Sequence, residues 1–138
     1  MDNSVIITIL IVGLVIVLFV MARINSLQVP TRKREKIQKA LKELDLQIQS
    51  QDLYARRDAI IRLDNLLSKA LQTRYRNDSS CGDNLKNAKK LFKKEDYQKV
   101  WDVHKIRNAI VHKDEDISYD SAQEAYKVYK MAITKVLG

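Results

Sequence analysis

Between Trp101 and His112 the chain reads W-D-V-H-K-I-R-N-A-I-V-H, a stretch that holds its one Trp and both of its His residues. Arg107 and Asn108 can bind a phosphate, and His104 and His112 can move protons near neutral pH. Such groups are costly among Val and Ile unless they are paired or put to chemical use. The chemistry on offer is therefore anion binding and proton transfer. Metal chemistry is poorly supplied. His104 and His112 are two turns apart and cannot grip one ion from a straight helix. There is no H-E-x-x-H pattern and no Gly-rich phosphate loop. A single cysteine, Cys81, allows neither an intramolecular disulfide nor a thiolate cluster. No metal and no cofactor is expected.

On a wheel of 100° per residue, Val100, Val103, Ile106, Ile110 and Val111 form one core face. Arg107 projects toward the middle of that face and needs a partner or a groove. His104, Asn108 and His112 follow at i, i+4 and i+8 on a neighbouring stripe with Trp101, so Asn108 can reach His112. Arg107 and His112 lie about 140° apart on an ideal helix. A straight helix in one chain does not aim both at one phosphate, whereas a distorted helix end or a second chain would allow it. A purely structural reading stands beside this one. Asn108 and His112 then satisfy backbone carbonyls, Arg107 pairs with Asp64 or another acid at the edge of the core, and Trp101 is core.

The elements that must position these residues are helices. Pro occurs once and Gly three times in 138 residues, which points to an all-α chain. Arg23 to Thr31 reads as a connector, with Thr31 capping a helix over 32–49. Ile37, Leu41, Leu44 and Ile48 make the apolar stripe of that helix. Ser50 to Asp52 is a break or an N-cap. Leu53 to Tyr75 is the most apolar soluble helix and belongs at the bundle centre. Asp64 and Asn65 are placed on its solvated edge. Asn77 to Asp83 reads as a loop with an exposed Cys81, followed by a short helix to Lys94. The motif helix spans 96–113, and Ser118 caps a last helix over 119–137.

Charge and hydropathy divide the chain. Val5 to Ala22 is an uncharged run of 18 residues, roughly 27 Å as a helix, enough to cross a bilayer. All 25 basic residues lie from Arg23 onward, whereas Asp2 precedes the run. That asymmetry predicts an uncleaved anchor with the N-terminus outside and the C-terminal domain in the cytoplasm. A cleaved signal peptide would need a basic leader and a shorter run. Arg32, Lys33, Arg34 and Lys36 serve as a topology signal or touch anionic headgroups. Lys86, Lys89, Lys90, Lys93 and Lys94 form a candidate RNA surface, or simply a solvated face.

The segment R-N-A-I-V-H, Arg107 to His112, resembles the signature of HEPN domains, and the wider stretch resembles small membrane-anchored HEPN-like proteins. The helix carrying A-I-I-R-L-D-N-L-L is similar to theirs, and the resemblance covers Leu53 to the C-terminus. It implies a helical bundle and a homodimer in which two motifs meet. It also implies, as one alternative, a metal-independent endoribonuclease. In that case His112 takes the proton of a ribose 2′-hydroxyl, Arg107 stabilises phosphorane charge, and Asn108 holds the imidazole or a phosphate oxygen.

The expected architecture is an all-α chain: a transmembrane anchor over 1–22, a basic connector and helix over 23–49, and an antiparallel four- to five-helix HEPN-like bundle over 50–138. The expected function is a membrane-anchored module that dimerises and binds protein or RNA.

Overall fold

The computed structural model describes residues 2–138 and contains six α-helices, with no strand among the described residues. Helix α1, Asn3–Leu27, is the apolar run extended at both ends. An 18-residue window within its residues 3–25 has mean hydropathy 3.3, and none of that window is buried against the rest of the chain. Thr8 Oγ1 donates to the Ser4 carbonyl at 2.8 Å, so its hydroxyl is satisfied within the helix. The connector is shorter than expected, because α1 runs on to Leu27 and α2 (Thr31–Ile48) begins directly after Pro30. Thr31 does not cap α2. It is the first helical residue, and Pro30 precedes it without a side-chain bond.

Helix α3 spans Leu53–Tyr75, and Asp52 caps it by accepting from the Ala55 N–H at 2.9 Å. Its chain then turns through Arg76 in the left-handed region, φ 52°. Helix α4 covers Cys81–Asn87 and passes into a 3-10 turn over Ala88–Leu91. It starts two residues earlier than expected because Ser80, not a later residue, caps it by accepting from Asp83 N–H. Asn77 and the fully buried Asn84 exchange two side-chain amide bonds of 2.8 Å, which close the intervening loop. Helix α5 spans Lys94–Lys113 and α6 spans Tyr119–Leu137, the latter capped by Ser118.

Side-chain bonds fix the helix directions. Gln47 at the end of α2 reaches Ala55 O and Asp58 at the start of α3. Arg57 at the start of α3 reaches Asp114 just past the end of α5. Gln123 at the start of α6 reaches the Ile48 carbonyl at the end of α2. Helices α2, α3, α5 and α6 thus alternate in direction, and α3 and α6 run parallel. Helix α3 packs on α2, α4, α5 and α6, so it is the central element. Ile60, Leu63, Leu67 and Leu71 on α3 are fully buried against Tyr129, Ile133 and Val136 of α6 and their neighbours. Each such side chain contributes about 1.5–3 kcal/mol.

Candidate functional site

Asp64 is the centre of the polar interior. It is 2% exposed, not on a solvated edge. The reason lies in its own helix: Ile60, Leu67 and Leu71 stand at i−4, i+3 and i+7, so Asp64 shares the most buried face of α3. A lone carboxylate there would be prohibitively costly, and three residues from two other helices satisfy it. Oδ1 faces His104 Nδ1 at 2.9 Å and the Tyr129 hydroxyl at 3.0 Å. Oδ2 faces Arg107 Nε at 3.7 Å, an ion-pair distance too long for a hydrogen bond. The Tyr129 hydroxyl also lies 3.0 Å from Val103 O and shares its one proton between the two acceptors.

The network closes into a ring on α5. Arg107 Nη1 donates to Asn108 Oδ1 at 3.0 Å, and Asn108 Nδ2 lies 3.4 Å from His104 Nε2. This arrangement selects the His104 tautomer. Nδ1 carries the proton donated to Asp64, and Nε2 accepts from Asn108. Asn108 therefore serves His104, not His112 as the stripe suggested. Both partners lie four residues from Asn108, and the carboxylate of Asp64 draws in the inner one. Trp101 packs edge-on to His104 with ring centroids 5.8 Å apart, and Tyr97 packs edge-on to Trp101. This aromatic run is half-buried and shields the ring from water.

Helix α4 lies over the same place. Cys81 is buried, not exposed, because the helix begins at its position and turns it toward α3. Burial pushes its thiol up to about 12, the Asp64 carboxylate adds to this, and Arg107 opposes it. Burial also pushes the Tyr129 hydroxyl well above its ordinary value, with the Asp64 charge second. Both groups stay protonated at neutral pH, so Cys81 is not an activated nucleophile. Gly82 packs beside the ring: a Cβ there would sit 3.7 Å from Trp101 and 3.8 Å from His104 Nε2.

Asp64, Cys81 and His104 bring one donor atom each within 4.8 Å of one another, a grouping that the one-cysteine argument from sequence did not consider. A metal ion there would have to displace the Asp64–His104 hydrogen bond and deprotonate Cys81. It would also face the Arg107 guanidinium. The ring as it stands satisfies Asp64 and His104 with hydrogen bonds and a nearby cation.

The residues singled out from sequence therefore separate. Arg107 and Asn108 belong to the ring, and Arg107 finds Asp64 as its acid. His112 is exposed and makes no hydrogen bond or ion pair among the described residues. Val111, expected on the core face, is 44% exposed, because α5 ends two residues later and no helix covers its last turn. The chain leaves α5 through Asp114 at φ 53°, held by Arg57. Lys89, Lys90, Lys93 and Lys94 are exposed around the turn between α4 and α5, and Lys86 pairs with Asp83 at 3.7 Å. Arg32 and Lys33 are exposed, whereas Arg34 donates to the carbonyls of Leu137 and Gly138.

Two residues escaped the sequence reading. Tyr129 is fully buried on α6, and its hydroxyl meets Asp64 and the Val103 carbonyl. Arg56 is buried and donates to the carbonyls of Ser50, Gln51 and Ile117, tying together the loops before α3 and α6. The signal for Arg56 was available: Ala59, Ile60 and Leu63 at i+3, i+4 and i+7 put it on the core face.

Comparison of the chain with protein-family models, curated proteins and solved structures finds no match. Fold and site together define an all-α bundle behind an apolar N-terminal helix, with a buried Asp–His–Asn–Arg ring between its helices.

Proposed function

We propose that this chain is a single-pass membrane protein whose cytoplasmic, HEPN-like bundle is a binding module that dimerises and holds an RNA or protein partner at the membrane. The observation that carries this reading is the division of the motif. Arg107 is drawn inward onto Asp64, while His112 stands exposed without a partner. Within one chain the guanidinium beside the exposed His112 is thus committed to a buried acid, and the imidazole that Arg107 does approach, His104, is itself bonded to Asp64. The apolar α1 supplies the anchor, and the basic residues from Arg23 onward favour a cytoplasmic bundle.

A second reading keeps catalysis. Val111 and His112 are exposed together at the end of α5, as residues completing a site across a two-fold axis would be. A partner chain bringing its own motif there would make a metal-independent endoribonuclease with His112 as acid/base and Arg107 as the charge stabiliser.

One assay separates the two. The purified full chain in detergent micelles is incubated with structured RNA and EDTA, beside His112→Ala and Arg107→Ala. The binding module leaves the RNA intact in all three. Cleavage by the parent that both variants lose would replace it with the nuclease. Reporter fusions at either terminus test the orientation: a C-terminal reporter active only in the exterior compartment would reverse it.

A further inference from the structure

We propose that the groove between the start of α2 and the end of α3 binds the phosphate headgroup of an anionic phospholipid in the leaflet next to the bundle. The proposal rests on the reading of α1 as a membrane anchor. The groove has a volume of about 980 Å³, at the upper end of the roughly 300–1,000 Å³ of small-molecule sites. Lys33 and Lys36 line it from α2, and Lys69 and Arg76 from the end of α3. The side chains of these four make no hydrogen bond or ion pair among the described residues. Asp78 is the one carboxylate in the lining. Other cations are unpaired too, Lys89, Lys90, Lys93 and Lys94 among them, but these stand exposed around the turn before α5 and do not line a groove. The groove thus holds an unneutralised surplus of positive charge over an apolar floor of Pro30, Ile37 and Leu66. A headgroup joined to a glycerol and acyl chains matches both parts.

Its position in the chain fits the same occupant. Pro30 stands three residues beyond the end of α1, a span of at most about 11 Å. Arg34 on Leu137 O, Arg74 on Val136 O and Lys135 on Asp96 gather the start of α2, the ends of α3 and α6 and the start of α5 at one end of the bundle. Lys93 and Lys94 belong to that end. The opposite end carries Asp52, Asp114, Glu115, Asp116 and Asp120. The end joined to α1 is basic on balance, its cations outnumbering Glu35, Glu95 and Asp96, whereas the acids of the other end face Arg56, Arg57 and Lys113. A single-stranded RNA site would also need aromatic platforms for its bases. The groove lining has none.

The test uses the full chain reconstituted in nanodiscs of phosphatidylcholine with a minor fraction of phosphatidylglycerol. The protein is extracted in mild detergent, and the lipids that stay with it are counted by mass spectrometry. The parent is expected to retain phosphatidylglycerol above its share of the bilayer. Lys69→Gln and Arg76→Gln lie outside the juxtamembrane run. Each is expected to cut that preference about five-fold. The charge-matched pair Lys42→Gln and Lys113→Gln, away from the groove, is expected to keep it. Equal loss in both pairs would overturn the groove in favour of diffuse attraction. Displacement of the lipid by millimolar inorganic phosphate would make it a small-anion site instead. Displacement by an RNA oligonucleotide whose binding the groove variants lose would assign it to RNA. A chain that enters the discs without enriching phosphatidylglycerol sinks the lipid site alone, and one that never enters them sinks the anchor as well.

Discussion

Asp64 Oδ1 and His104 Nδ1 meet at 2.9 Å although the two residues lie 40 positions apart. The contact joins the central helix α3 to α5, and Tyr129 of α6 adds its hydroxyl to the same carboxylate oxygen. One buried acid therefore ties three helices together. The Asp–His pairing resembles that of a general base, but the free face of the imidazole is turned to Asn108 and packed by Trp101. The neighbouring thiol is held protonated. The arrangement links α3, α5 and α6 through hydrogen bonds.

Removing the acid from this ring should be costly. Asp64→Ala leaves Arg107 half-buried without its carboxylate and strips His104 and Tyr129 of an acceptor. It is expected to lower the unfolding free energy by about 3–5 kcal/mol. Tyr129→Phe removes one neutral donor and should cost about 1–2 kcal/mol. Urea unfolding of the full chain in micelles, followed by far-UV circular dichroism, gives both values. Equal midpoints for Asp64→Ala and the parent would show that the ring adds no stability.

Alkaline pH should weaken the fold. Cys81 has an ordinary value of 9.0 and is held near 12 in the folded chain. Its folded value lies above the unfolded one, so its contribution is complete below pH 9.0 and is lost as pH rises toward 12. Tyr129, also raised, adds a loss in the same direction above its ordinary value of 10.0. Cys81→Ala should flatten the lower part of this decline and leave the Tyr129 part. In the native chain at pH 8 the thiol should react with Ellman's reagent far more slowly than in urea. Equal rates would place Cys81 on the surface.

Periodicity was enough to locate the helices, and caps placed the starts of α3 and α6 but not those of α2 and α4. The span of α3 and the Ser118 cap follow from local rules, because a helix boundary is set by a handful of neighbouring residues. The polar ring was legible only in part. Arg107 on a core face demanded an acid, and Asp64 was one candidate named for it. The His104 contact could not be read, because it depends on how α5 is rotated and shifted along α3. Cys81 was misplaced for a related reason: the composition of its loop is polar, but burial there is decided by where α4 docks. Val111 shows the opposite failure, since a helical stripe continues in sequence after the partner helices have ended.

Caps allow a sharper check on local structure. Ser118→Ala and Asp52→Ala each remove an acceptor for a first-turn N–H, and each should cost about 1 kcal/mol. Thr31→Ala should be nearly silent, because Thr31 is the first helical residue and caps nothing. Chemical denaturation of the three variants under one condition ranks them. A loss at Thr31 as large as at Ser118 would contradict the start of α2.

Arg107 and His112 should part company in stability as they do in space. His112→Ala removes an exposed side chain without a partner, and its effect should stay within about 0.5 kcal/mol. Arg107→Ala takes the cation from beside a buried carboxylate and a donor from Asn108, so it should cost more than about 2 kcal/mol. The measurement also bears on dimerisation. In one chain the His112 substitution has nothing to disturb, whereas in a dimer that buries the end of α5 it would. Light scattering of parent and His112→Ala over a range of protein concentrations reads this directly. A loss of dimer in His112→Ala with the monomer's stability unchanged would put the end of α5 at the interface, and an unaltered dimer would place that interface elsewhere.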